Sequence, residues 1–356
     1  MKLMKRKKNK YFLKFKKKSF IEKSKQNYLS RSKVKIIYIL FLSSVLIVIL
    51  ALYDINNKLE EQMKKELDKI QPNDTALNWD NVKNDFELLA NKYKYLIKYE
   101  KNIAEDSPIW VMWYQGIENA PPIVKACIQS IIINRAKHPV YIISKYNLEK
   151  YIKLPSYIIE KLNNKTLTFT YFSDITRMGL LFKYGGYWID STYFVNTPLT
   201  KVNTTFFTIK TLFKDCFTQT HPFVKCYFSI NFMAFPKNSF IATYGYMAIL
   251  YYWKKYNSLI EYFLLDYIFH IAFMNIPEFK ELVDKNPALI CNIFVLCPKL
   301  NSNYKKSEFE CSFNKLSYKN KYLSLNNNGM TNYGYLMENY KLNLNNIDNK
   351  NIILNI

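Results

Sequence analysis

Beyond residue 105 the hydrophobic positions fall into short unbroken apolar runs that alternate with helically spaced ones. I-W-V-M-W-Y, beginning at Ile109, closes on Gln115-Gly116 and predicts a buried strand. Pro121 and Pro122 suit the first turn of a helix, and I-V-K-A-C-I-Q-S-I-I-I continues with helical spacing. H-P-V-Y-I-I-S predicts a second strand and L-T-F-T-Y-F a third. Strands that alternate with helices imply a parallel sheet covered on both faces, with ligands at the carboxyl ends of the strands.

The stretch from Phe172 to Thr192, F-S-D-I-T-R-M-G-L-L-F-K-Y-G-G-Y-W-I-D-S-T, sets three charges into an apolar run. Ser173 predicts an N-cap, and Gly185-Gly186 a stop, for a helix that holds Asp174 and Arg177 at i and i+3 near its start. Y-W-I-D then predicts a strand with Asp190 at its carboxyl end. Strand alternation sends Asp190 and Thr192 to one side and Ser191 to the other. Tyr184 and Trp188 are accounted for as core by the same spacings.

Before residue 105 the texture differs. Residues 54–105 are polar and helix-prone, with N-K-L-E-E-Q-M-K-K-E-L-D-K-I as an amphipathic piece, and read as a stem. Ile36 to Tyr53 carries no charge over 18 residues. At helical rise that run is about 27 Å long, close to a bilayer core. It predicts a single transmembrane helix with the basic arm 1–35 in the cytosol. The arm is too long for a cleavable signal peptide, and no A-x-A-like site follows. The downstream domain would then face either a Golgi-type lumen or the cytoplasm.

Composition adjusts this picture in two places. The chain has 356 residues and a net charge of +23, which raises nucleic acid as a partner. Much of the excess lies in K-R-K-K-N-K and K-F-K-K-K of the arm, so anionic lipid explains it better and nucleic acid is set aside. The six cysteines form no C-x-x-C pair. Cys216 with Cys226, or Cys291 with Cys297, would form disulfides in an oxidising compartment, and six thiols is the other reading. Sequons at Asn73, Asn164 and Asn203 decide nothing in a chain so rich in Asn.

A carboxylate at a strand end, a hydroxyl two residues on and a nearby Arg suit a diphosphate bound through Mn²⁺ or Mg²⁺. The plainer alternative is a helix-start carboxylate, a surface ion pair and a turn aspartate.

The blocks I-W-V-M-W-Y-Q-G-I-E-N-A-P-P-I-V-K-A-C, F-S-D-I-T-R-M-G-L-L-F-K-Y-G-G-Y-W-I-D-S-T, Y-W-K-K-Y-N-S-L-I-E-Y-F-L-L-D-Y and K-L-S-Y-K resemble the capsular polysaccharide synthesis glycosyltransferases, sugar transferases with a DXD motif. The resemblance implies an α/β fold of GT-A type, a Rossmann-like mixed sheet flanked by helices, here behind the N-terminal transmembrane helix. It places the GT-A domain at 106–300 and leaves 301–356 as an Asn- and Lys-rich extension. It implies retaining transfer from a UDP- or GDP-sugar to a glycan or lipid-linked glycan, assisted by Mn²⁺ or Mg²⁺. By position, Trp113 resembles the aromatic that stacks on the base. Asp174 and Arg177 match the pair that binds the ribose and contacts the donor. Asp190 matches the first DXD aspartate and metal ligand, and Thr192, where a second Asp would stand, is the other residue expected at the bound group. D-S-T is common in the resembling subgroup and implies a variant site, with the metal held largely by the diphosphate or with metal dependence lost. Asp266, in L-L-D-Y, is the remaining carboxylate of a matching block and is expected near the acceptor or the metal. Glu118 and Asn119 are expected to shape a loop over the donor, and His221 to line the acceptor side. The competing reading is a non-catalytic, membrane-tethered sugar- or nucleotide-binding scaffold derived from such an enzyme, for which Thr192 leaves room.

Overall fold

The computed structural model describes residues 38, 41–46, 57–99, 101–199, 205–211, 227–289, 291–342 and 352–353. The chain divides into two compact units, residues 1–64 and 65–356.

In the first unit the expected membrane-spanning helix is not supported. Among the described residues no helix is long and apolar enough to cross a membrane. Of residues 36–53, Tyr38 and 41–46 are described and helical. The rest of that run, like the basic arm, lies outside the described residues. The single-pass placement with a cytosolic N-terminus is corrected accordingly.

The second unit is built on a six-stranded sheet among the described residues. Three of its strands are central: β1 (Ile109–Met112), β2 (Val140–Ile143) and β3 (Gly186–Ile189). Both β2 and β3 run parallel to β1, one on each side of it. Phe232–Phe235 joins β3 antiparallel, Phe207–Thr208 lies beyond it, and Ile352–Ile353 pairs with β2. The sheet is therefore mixed, and β1 is buried on both faces. Ile109 and Val111 pack with Val124, Cys127 and Ile128 of the helix Pro122–Ile133. Trp110 points the other way, where its ring meets Tyr141, Tyr151 and Tyr184 and its Nε1 donates to Gly185 O at 2.9 Å.

The opposite face is covered by the helix Phe169–Tyr184, which packs against Phe240–Lys255. The expected third strand, L-T-F-T-Y-F, is instead the start of the first of these helices, whose N-cap is Thr168. Aromatic and β-branched residues suggested a strand, but burial continues at helical spacing through Phe172, Ile175 and Leu180, and that packing decides. The predicted Ser173 cap is thus inside the helix. Asp174 sits in its second turn, away from the orphan N–H groups of the terminus. The stop at Gly185 is observed, with φ +68°.

The polar segment read as a stem also contributes to the core. Trp79–Tyr93 buries Val82, Phe86, Leu89 and Ala90 and packs on Phe240–Lys255 and Leu264–Asn275. Lys255 Nζ reaches Asp85 at 2.7 Å. At the far end of the sequence, Phe313–Lys315 pairs antiparallel with β4 (Tyr193–Val195), so residues beyond 300 are built into the same unit. Cys291 pairs with Cys311 and not with Cys297, which is a free thiol. Cys216 and Cys226 lie outside the described residues.

Candidate active site

Asp190 follows directly on β3, at the carboxyl end of the parallel strands. The chain turns there: Tyr193 N–H donates back to Asp190 O at 2.9 Å before β4 begins. Strand alternation therefore stops at Ile189, and Ser191, expected to face away, is buried in the turn. Thr192 is half-buried, and its carbonyl accepts from Leu316 N–H at 2.9 Å.

Both carboxylate oxygens of Asp190 are occupied by donors of the chain. Oδ1 accepts from Arg177 Nη2 at 3.1 Å and from Trp188 Nε1 at 2.8 Å. Oδ2 accepts from Lys315 Nζ at 2.6 Å. Arg177 also lies 3.2 Å from Asp174 Oδ1 through Nη1, which donates to Ile230 O at 2.7 Å. Its guanidinium lies over the Trp188 ring, 5.0 Å from the centroid. One arginine thus joins the two aspartates that the sequence placed 16 residues apart, and an indole holds both it and Asp190.

Trp188 is core, as its spacing implied, but it is also part of the site. Tyr184, given the same reading, is 37 % exposed and donates to Tyr151 O at 2.8 Å. Behind Asp190 the backbone is pinned: its N–H donates to Asn231 O at 2.9 Å, and Asn231 Oδ1 accepts from Tyr193 Oη at 2.6 Å.

The three aspartates differ in their charge. Burial pushes the Asp190 carboxyl up, but Lys315 and Arg177 outweigh it and hold the group below the usual carboxylate range. Asp174 is raised to about 6 by burial, against the pull of Arg177 and with a push from Asp190. Asp266, buried in the helix Leu264–Asn275, is raised to about 7 by burial and then by Asp174. Tyr262 is exposed on the loop before that helix. Its hydroxyl is raised by burial and then by the charges of Asp174, Asp190 and Asp266.

These shifts carry a sign. For Asp266 the folded chain holds a proton to about pH 7 that the unfolded chain releases near its ordinary value of 3.8. Between those values the folded state binds more protons, so stability falls as pH rises, by an amount on the order of a few kcal/mol. Asp266→Asn is expected to flatten the decline in melting temperature between pH 5 and pH 7, measured as thermal unfolding against pH. A variant curve parallel to that of the wild type would sink this account.

Trp113 stands immediately after β1, its N–H donating to Ile143 O at 2.9 Å. Its ring meets Tyr318 edge-on, with centroids 5.2 Å apart. Trp113 Nε1 and Arg177 Nε are buried donors without a hydrogen-bond partner. Leaving such a group unpaired costs about 1–3 kcal/mol. Glu118 and Asn119 are exposed and close on their own loop, with Asn119 Nδ2 donating to Gln115 O at 3.0 Å. His221 lies outside the described residues.

The structure thus brings Asp174, Arg177 and Asp190 together, sets Asp266 close enough to Asp174 to raise it, and places Trp113 at the end of β1. Lys315, Trp188 and Tyr262 are the residues that sequence reasoning missed. Lys315 and Tyr318 both come from K-L-S-Y-K, a block singled out by resemblance without a role. Nothing local to Lys315 announces a partner 125 residues upstream.

A family model described as capsular polysaccharide synthesis protein matches residues 58–336, which include every residue of this site. The chain belongs to the capsular polysaccharide synthesis family. No curated protein matches it. Among solved structures it is similar to the PaToxG Glycosyltransferase, at 14% identity over 55% of this chain and 78% of that one, with a TM-score of 0.33. A likeness that loose carries no argument. Within the family match, the residues from Asp174 to Lys315 form one cluster at the carboxyl ends of parallel strands, where α/β sheets bind their ligands.

The donor set fits a divalent cation poorly. Mg²⁺ and Mn²⁺ want several oxygen ligands, and Mg²⁺ wants near-octahedral geometry. Here the carboxylate expected to hold the metal already accepts from an ammonium, a guanidinium and an indole. Among the described residues no group of three His, Cys, Asp or Glu is placed to hold a metal ion.

Proposed function

We propose that the protein is a glycosyltransferase of polysaccharide synthesis that moves a sugar from a nucleotide-sugar to a glycan acceptor. Family membership supports the synthesis of polysaccharide. The observation that carries the reading is the bridge Asp174–Arg177–Asp190 at the end of β3, beside Lys315. Two cations clamped by carboxylates at a strand end suit a diphosphate leaving group, whose growing negative charge must be met by fixed positive charge. Trp113 offers an aromatic face at the end of the neighbouring strand for the base.

Retention at the anomeric carbon is proposed to follow front-face attack. A double displacement needs an ionised, uncommitted carboxylate beside the sugar. Asp190 is held by Arg177, Trp188 and Lys315, and Asp174 by Arg177. Asp266 retains its proton to about pH 7 and so serves better as a hydrogen-bond donor to a sugar hydroxyl. The departing phosphate would then take the acceptor's proton.

A screen of UDP- and GDP-sugars tests the reading, with binding read by saturation-transfer NMR and slow donor hydrolysis by release of the nucleoside diphosphate. At least one donor is expected both to bind and to be hydrolysed. Binding without turnover in the presence of glycan acceptors would favour the non-catalytic scaffold instead.

A further inference from the structure

We infer that the Lys315 ammonium takes the place of a divalent cation at Asp190, so that the nucleoside diphosphate is met by a lysine and an arginine of the chain itself. The inference deepens the proposed function and rests on it. Four observations carry it together.

The first is occupancy. Lys315 Nζ donates to Asp190 Oδ2 at 2.6 Å, while Oδ1 serves Arg177 and Trp188. A metal ion on Asp190 would have to expel the ammonium or share an oxygen with it, at the cost of like charges in contact.

Placement is the second. Lys315 is not a long side chain that happens to fold over. Its strand is registered on β4 with Lys315 opposite Tyr193, and its N–H donates to Ile293 O at 2.8 Å. The ammonium lies 5.0 Å from the centre of the Tyr193 ring, so stem and head are both held.

Capacity is the third. An ammonium has three donors, and one goes to Asp190, which leaves the others for phosphate oxygens. The side chains of Lys315 and Asp190 are 20% and 24% exposed, so the pair lies at the site's mouth and not sealed beneath it.

The fourth is the missing second acid. Position 192, two residues beyond Asp190, is Thr, with its carbonyl bound by Leu316, the residue next to Lys315. The backbone bond that seats the 192 turn therefore also seats the lysine. A neutral residue at 192 and a cation at 315 are thus joined through one backbone bond.

Calorimetric titration of the full chain with UDP and with GDP, in EDTA and again in Mn²⁺, tests this. In EDTA the wild type is expected to bind at least one of them, with affinity changed less than about threefold by Mn²⁺. Lys315→Met keeps most of the stem and loses the charge. It is expected to weaken binding about 10- to 100-fold, the value of a charge-assisted bond to phosphate, and Lys315→Arg to recover most of the loss. Thermal melting of each variant separates loss of binding from loss of fold, and a folded Lys315→Met that binds like the wild type overturns the inference. Nucleotide binding by the wild type that appears in Mn²⁺ and vanishes in EDTA overturns it while leaving the proposed function standing. Failure of both nucleotides in both buffers overturns the two readings together.

Discussion

Asp190→Ala is expected to abolish sugar transfer, with kcat falling on the order of 10³-fold or more while the chain still folds. The carboxylate is the shared acceptor of Arg177, Trp188 and Lys315. Without it, Lys315 loses its carboxylate partner and Arg177 loses one of its two, so the cations are no longer tied together toward a diphosphate. Removing one partner of a buried ion pair costs about 3–5 kcal/mol. Asp190 is partly exposed, so water relieves the stranded charges and the stability loss should lie at or below the lower end. Arg177 keeps Asp174 and the Ile230 carbonyl, which hold the helix in place. Donor hydrolysis and transfer assays, run beside thermal melting, separate the two effects. A folded Asp190→Ala protein with wild-type turnover would remove this residue from the site.

The second large effect lies in the backbone that delivers Asp190. Gly186→Ala is expected to destabilise the chain by more than about 3 kcal/mol and to cut the yield of folded protein. Gly186 has φ +91°, and a Cβ there would stand 2.1 Å from Pro108 O. That carbonyl cannot retreat freely, because it accepts from Tyr187 N–H at 2.8 Å. Gly185, with φ +68°, is shut in by the backbone of Lys237 at 2.4 Å from its own added Cβ. Gly329 provides the control: its φ is +113° but nothing lies within 4 Å, so Gly329→Ala should cost only the backbone strain, about 1–3 kcal/mol. Chemical denaturation of the two variants measures the difference, and equal losses would show that backbone conformation alone, without the close approach to Pro108, sets the cost.

The parts of the fold legible in the sequence were those whose evidence is local. The runs around Ile109 and Val140 are bounded by Gly or Pro and became β1 and β2, and the helix after Pro121 kept its spacing. Gly185-Gly186 marked the helix stop because positive φ is a property of single residues. L-T-F-T-Y-F misled because intrinsic preference is weak and a packed helix overrode it. The uncharged run at 36–53 suggested a membrane span, but among the described residues no helix is long and apolar enough to cross a membrane. In the site, Asp174, Arg177 and Asp190 share a 17-residue stretch and could be read together. Lys315 and Tyr262 arrive from distant segments. Their approach depends on the pairing of β4 with Phe313–Lys315 and on the packing of the helix Leu264–Asn275, neither of which has a sequence period.

That late pairing sets an order on the chain's birth. As residues emerge from the ribosome, the strands through Phe235 can assemble well before position 315 is made. In that interval Asp190 holds its arginine but lacks its lysine, and β4 offers an unpaired edge. Closing it requires the ends of a loop of more than a hundred residues to meet, the kind of long-range contact that slows folding most. The strand β4 and the charge pair at Asp190 thus wait for the same short segment, Phe313–Lys315, which completes both at once.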